Sequence, residues 1–136
     1  DPDVVVVPGG GWNDRADAGA WAEAERGDLP ERLADLHAEG VTMASVCTGG
    51  MLLARAGILD GRPATTNHDA LDAIRETDAE VLEARVVDDG DVVTAGAITA
   101  GLDLALHLVE REFGAETASA VAEGMAYERR GPVHVA

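Results

Sequence analysis

Short, wholly apolar runs alternate with amphipathic ones along this chain of 136 residues. Val4 to Val7 is apolar throughout, as a strand covered by helices on both faces should be, and Pro8 with Gly9, Gly10 and Gly11 ends it. The Ala- and Glu-rich stretch from Ala18 to Arg26, which carries Trp21, predicts a helix. Asp28, three residues before Glu31 and just ahead of Pro30, reads as the cap of a second helix that runs to about Glu39, with Gly40 as its stop. Val41 to Val46 is the next strand, and Thr48 to Ala56 the helix behind it, closed by Gly57. Ala64 to Thr66 reads as a short strand and Asp69 to Glu76 as a helix. Glu80 to Val87 alternates and, across Asp88 to Asp91, forms a hairpin with Val92 to Thr94. Leu102, Ala105, Leu106, Val109 and Phe113 share one side of a helix from Ala100 to Phe113, which predicts that this side faces the sheet; Gly114 terminates it. A last helix covers roughly Glu116 to Ala126, and the tail from Gly131 adds an edge strand.

Alternation of this kind implies an α/β fold: a three-layer α/β/α sandwich around a mostly parallel sheet, flavodoxin-like, with a small β-hairpin. The chain reads as one domain over residues 1–136, without internal repeat or low-complexity linker. Sheets of this class bind ligands beyond the carboxyl ends of their strands. The Gly9 to Gly11 turn and Cys47 both fall at such ends, so one pocket is expected to hold both.

Cys47 is the only cysteine, and it stands where a strand passes without a linker into a helix. The free N–H groups of the first helical turn are aimed at such a residue, and their partial positive charge favours a thiolate. Thr48, Gly49 and Gly50 are small and leave room for a substrate. Two readings follow for Cys47: a nucleophile at a strand-to-helix elbow, or a small buried hydrophobe. Thr48 likewise reads either as a residue that orients water or as an ordinary helix N-cap.

Charge narrows the partners. There are 26 acidic residues against 10 basic ones, every basic one is Arg, and the net charge is −16. Such a chain repels phosphate backbones and anionic lipid, so neither nucleic acid nor a membrane surface is expected as a direct partner. The repulsion within the chain is relieved when salt shortens the screening length to about 3 Å at 1 M. The composition fits a halophile's cytoplasmic protein or an acidic mesophilic one from a GC-rich genome. A single cysteine excludes an intrachain disulfide and fits a reducing compartment. No apolar stretch reaches membrane-spanning length, and no signal peptide is evident.

The block from Ser45 to His68, SVCTGGMLLARAGILDGRPATTNH, resembles the nucleophile-elbow segment of the ThiJ/PfpI family, within the class I glutamine amidotransferase-like superfamily. Upstream, DVVVVPGGG resembles the family's strand and glycine turn; downstream, VVTAGAITAGLDLALHLVEREFG resembles the segment that closes the pocket and then forms a long helix. The Cys-Thr-Gly elbow leans toward the branch of isonitrile hydratases and of the sensor halves of certain transcription regulators. The resemblance implies Cys47 as nucleophile, assisted by Thr48, with backbone N–H groups of Gly10 or Gly11 and Thr48 as an oxyanion hole. It implies Gly49, Asn67, His68, Ile98 and Thr99 as pocket lining, and homodimerisation. Family members begin with about one further βαβ unit, carrying the carboxylate that hydrogen-bonds the cysteine. Asp1 and Asp3 lie at the opposite end of their strand from the glycine turn and do not fit that role, so the expectation is either that the chain is N-terminally truncated or that the site is defective.

The family's His-bearing loop reads ThrThrHis where this chain has Thr65, Thr66, Asn67 and His68, so the imidazole is displaced by one residue. His68 reads as either a pocket residue or a loop cap. His37 is expected to be solvated, His107, beside the apolar stripe of the long helix, to be a partly buried packing residue, and His134 has no assigned role. No His/Cys/Asp/Glu spacing suits a metal, and neither metal nor cofactor is expected. A glutamine amidotransferase needs a late His-x-Glu pair, and residues 95–101 read AGAITAG instead. Three classes of function remain: a cysteine-dependent hydratase or hydrolase acting on a small electrophile, a ligand sensor built on the same pocket, and a redox or stress-response protein in which Cys47 is oxidised reversibly.

Overall fold

The computed structural model describes all 136 residues. Its elements are β1 (Val4–Val7), α1 (Ala20–Arg26), α2 (Asp28–Ala38), β2 (Thr42–Val46), α3 (Gly49–Arg55), β3 (Pro63–Ala64), α4 (Leu71–Arg75), β4 (Glu80–Val81), β5 (Val86–Asp88), β6 (Val92–Ala95), α5 (Ala100–Phe113), α6 (Ala115–Gly124) and β7 (His134–Val135), with a single 3-10 turn at His68–Ala70. The main sheet has the order β1-β2-β6-β5-β7; β1, β2 and β6 run parallel, β5 is antiparallel to β6, and β7 lies parallel to β5. Strands β3 and β4 form a separate parallel pair.

Successive residues of β2 and β6 point to opposite faces, and this divides the core in two. Met43 and Val92 join the larger cluster under α1, α2, α3 and α4, with Leu33, Leu53, Leu59 and Ile74. Ala44 and Val93 join the smaller cluster under α5, with Ala100 and Leu104. Helix α6 packs on α5. The sandwich and the mostly parallel sheet are as expected.

Three expectations are corrected. The run from Glu80 to Val87 is not one strand: Glu80–Val81 pairs with β3 outside the main sheet, and only Val86–Asp88 forms the hairpin with β6. Asp28 does not cap α2; it lies inside the helix, and Gly27, in a left-handed conformation at φ 83°, serves both as the end of α1 and as the start of α2. On α5 the buried residues are Ala100, Asp103, Leu104, Leu106 and His107, whereas Leu102 is exposed and Phe113 is 72% exposed. The inward side of α5 carries two polar residues with buried partners, and a reading by apolar spacing rotates it away.

Candidate active site at the strand-to-helix elbow

Strands β1 and β2 are parallel neighbours, with Val7 opposite Ser45, so their carboxyl ends emerge side by side. Cys47 follows β2 directly and adopts φ 56°, a left-handed conformation that a non-glycine residue rarely takes. The backbone around it is fixed on both sides. Its N–H donates to the Ala95 carbonyl at 2.9 Å, and its own carbonyl accepts from Thr66 Oγ1 at 2.9 Å and from the Gly50 N–H at 3.3 Å. The residue is partly exposed and its thiol is free. No hydrogen bond to Cys47 Sγ forms within the chain.

The glycine turn does meet the elbow, though by a different contact. The Gly10 N–H donates to Thr48 Oγ1 at 2.8 Å, so it is occupied and does not serve as a free oxyanion donor. The N–H groups of Gly11 and Thr48 have no acceptor within the chain. Thr48 stands at the N-cap position of α3 without making a side-chain cap bond; its hydroxyl ties the two loops together instead.

The elbow glycines are not open space for substrate. A Cβ on Gly49 would stand 2.1 Å from the Val7 carbonyl oxygen, and one on Gly50 would stand 3.0 Å from that of Thr65. The expected pocket-lining role of Gly49 is thus replaced by close packing against the end of β1. Asn67 is buried, and its Oδ1 accepts from the Asp69 N–H at 3.0 Å, which caps the 3-10 turn. His68 is largely exposed, its Nε2 3.3 Å from Asp69 Oδ1. Ile98 is 76% exposed, and Thr99 accepts from Arg85 Nη2 at 3.2 Å. A cavity of about 250 Å³ beside the elbow is bordered by Thr65, Thr66, His68, Arg85, Gly96 and Ala97; Cys47, Ile98 and Thr99 are not among its lining residues.

Residues not singled out from the sequence complete the frame. Thr66 holds the Cys47 carbonyl, and Thr94 Oγ1 accepts from the Thr65 N–H at 2.9 Å, which seats that loop on β6. The threonine doublet was the available signal. Burial opposes the charge on Arg85, yet hydrogen bonds to Asp103 and Tyr127 raise its pKa above the usual value. Of the other histidines, His37 is not free in solvent but lies 2.8 Å from Asp91 Oδ2, whereas His107 is buried against Asp88 at 2.5 Å, and His134 is exposed in β7.

A mostly parallel α/β sheet, with the lone cysteine in a left-handed conformation just past the interior strand β2 and its neighbour Thr48 bonded to the glycine turn, is the architecture of a strand-to-helix elbow. The chain belongs to the DJ-1/PfpI family, whose sequence profile matches residues 1–111. It is 35% identical over 130 residues to isonitrile hydratase of Pseudomonas putida, a match covering 96% of this chain and 54% of that protein. It is 36% identical over 106 residues to the HTH-type transcriptional regulator CdhR of Pseudomonas aeruginosa, covering 76% of this chain and 32% of the regulator. A crystal structure of a ThiJ/PfpI family protein from Pseudomonas syringae superposes with a TM-score of 0.84 at 32% identity, over 97% of this chain and 52% of that one. The chain thus spans about half or less of the length of these relatives. The charge argument against nucleic acid bears on these 136 residues alone, since a similar region occurs in a regulator named for its helix-turn-helix. No helix is long and apolar enough to cross a membrane.

Proposed function

We propose that the chain carries the nucleophile of a small-molecule enzyme of the hydratase or hydrolase kind. Cys47 Sγ adds to an electrophilic carbon, as in an isonitrile, an aldehyde or an activated carbonyl. The amides of Gly11 and Thr48 stabilise the charge that develops on the substrate, a fixed-dipole effect that needs no reorganisation during reaction. With an isonitrile the thiol proton passes to the carbon and a thioimidate forms; water adds to that carbon, the C–S bond breaks with a proton returned to sulfur, and the formamide leaves. An activated carbonyl first expels its leaving group with the thiol proton, and water then hydrolyses the thioester, whereas an aldehyde stops at the thiohemiacetal. Thr48 and Thr66 hold the two loops in register through Gly10 and Cys47.

The observation that carries this reading is the conformation of Cys47. A left-handed non-glycine residue costs about 1–3 kcal/mol and persists only where its surroundings hold it. Here the carbonyl of Ala95, the hydroxyl of Thr66 and the amide of Gly50 hold it. An alkyl isonitrile incubated with the protein is expected to yield the formamide, and Cys47→Ala to abolish that yield. Mass spectrometry of an aldehyde or isonitrile adduct is expected to place it on Cys47.

A second reading is a ligand sensor, favoured by the similarity to CdhR. Saturable binding of the isonitrile without turnover, unchanged in Cys47→Ala, would establish the sensor and refute the enzyme.

A further inference from the structure

The loop between β1 and α1, together with the start of α1 and the end of α3, brings both tryptophans of the molecule beside two arginines. The chain has two tryptophans, and Trp12 and Trp21 meet edge to face with centroids 5.0 Å apart. The Arg15 guanidinium lies 4.6 Å from the Trp21 centroid; that of Arg55, from α3, lies 5.5 Å from Trp12 and 5.7 Å from Trp21. With Met51 and Glu76 these groups border a cavity of about 490 Å³, a size that suits a small organic ligand.

The state of the cations indicates what such a ligand would be. Acidic residues outnumber basic ones 26 to 10, yet Arg15 enters no ion pair; only Arg32 and Arg130 share that condition. Stacking on an indole uses the face of a guanidinium and leaves its N–H edge available, and that edge fits a carboxylate with two parallel hydrogen bonds. The Arg15 backbone, at φ 50°, is fixed by its N–H to the Trp12 carbonyl at 3.1 Å, so the side chain leaves the loop from a set position. Glu76 on the same rim disfavours a second negative charge. Apolar aromatic walls, one unpaired guanidinium edge and a nearby carboxylate together select a planar organic anion of single charge.

We propose that this cavity binds a small aromatic monocarboxylate, its ring against the indoles and its carboxylate on Arg15. The site is separate from the Cys47 thiol, and the proposal does not depend on the chain being an enzyme.

Because both tryptophans lie at the site, intrinsic fluorescence reports on it directly. Titration with benzoate is expected to change the emission saturably. Arg15→Gln is expected to weaken binding at least about tenfold, the effect of losing a charge-assisted hydrogen bond. Arg15 is exposed, so the variant should fold, and circular dichroism checks that it does. Arg32→Gln, on α2 and equally unpaired, is expected to bind benzoate as the unaltered protein does, and so is Cys47→Ala. At matched ionic strength inorganic phosphate is expected to leave the emission unchanged. Absence of a saturable response would overturn the proposal. So would equal affinity in Arg15→Gln, a loss as large in Arg32→Gln or Cys47→Ala, or a phosphate response matching that of benzoate.

Discussion

Gly49 is required by a neighbour rather than by its own backbone. A side chain there would drive a Cβ into the Val7 carbonyl oxygen, and neither β1 nor α3 can yield without disturbing the Gly10–Thr48 contact. Gly49→Ala is therefore expected to destabilise the fold by about 3 kcal/mol or more. Gly124, at the end of α6, has nothing within 4 Å of where a Cβ would stand. Gly124→Ala is expected to raise stability by about 0.4–1 kcal/mol, chiefly by restricting the unfolded chain. Urea unfolding of the two variants reads both effects, and a stable Gly49→Ala protein would refute the packing argument. At this scale the sequence identified Cys47, because a strand running straight into a helix leaves a recognisable junction. It did not show what the small residues after Cys47 accommodate, since the carbonyls that fill the space belong to Val7 and Thr65, on other segments of the chain.

Helix α5 shows how an element can be correctly located and wrongly oriented. Its inward side includes Asp103, whose carboxylate accepts from Tyr127 Oη at 2.7 Å, from the Arg130 N–H at 2.8 Å and from Arg85 Nε at 2.8 Å. Burial alone would raise the Asp103 carboxyl, but these donors together hold it below the ordinary carboxylate value; burial likewise opposes the charge on Asp88, where His107, the Gly90 amide and Arg111 prevail. A carboxyl with a lowered pKa in the folded state adds stability that is fully present above its unfolded pKa, about 4, and is lost as pH falls through the folded value. Asp103→Asn is expected to lower stability at neutral pH by about 3 kcal/mol, because it breaks a buried pair. The gap between variant and unaltered protein should then narrow as pH falls below about 4. Denaturant titrations across pH test this, and a gap that stays constant to strong acid would show that Asp103 acts by packing alone. The period of apolar residues along α5 could not reveal this side, because a polar residue reads as outward until its partners are known, and Arg85, Tyr127 and Arg130 lie far from it in sequence.

Over the whole molecule the net charge of −16 is the dominant long-range effect. Most arginines are already in ion pairs, including Arg62 with both Asp89 and Asp91, so the remaining carboxylates repel one another without compensation. Raising KCl from about 0.1 to 2 M is expected to raise Tm, since the screening length falls well below the spacing of surface charges. A Tm that drops monotonically over that range would count against self-repulsion as a limit on stability. The sequence by itself determined the alternation of strands and helices outside residues 80–87, the turn at Gly9 to Gly11 and the elbow at Cys47, because apolar period, glycine and the strand-to-helix junction act over a few neighbouring residues. The tertiary structure decided that Gly10 bonds Thr48, that residues 80–87 divide between two sheets, that α5 turns Asp103 inward, and that Trp12, Arg15, Trp21 and Arg55 converge. Each of these is a pairing between groups distant in the chain, selected by which surfaces the sheet brings together, and local preference carries no record of it.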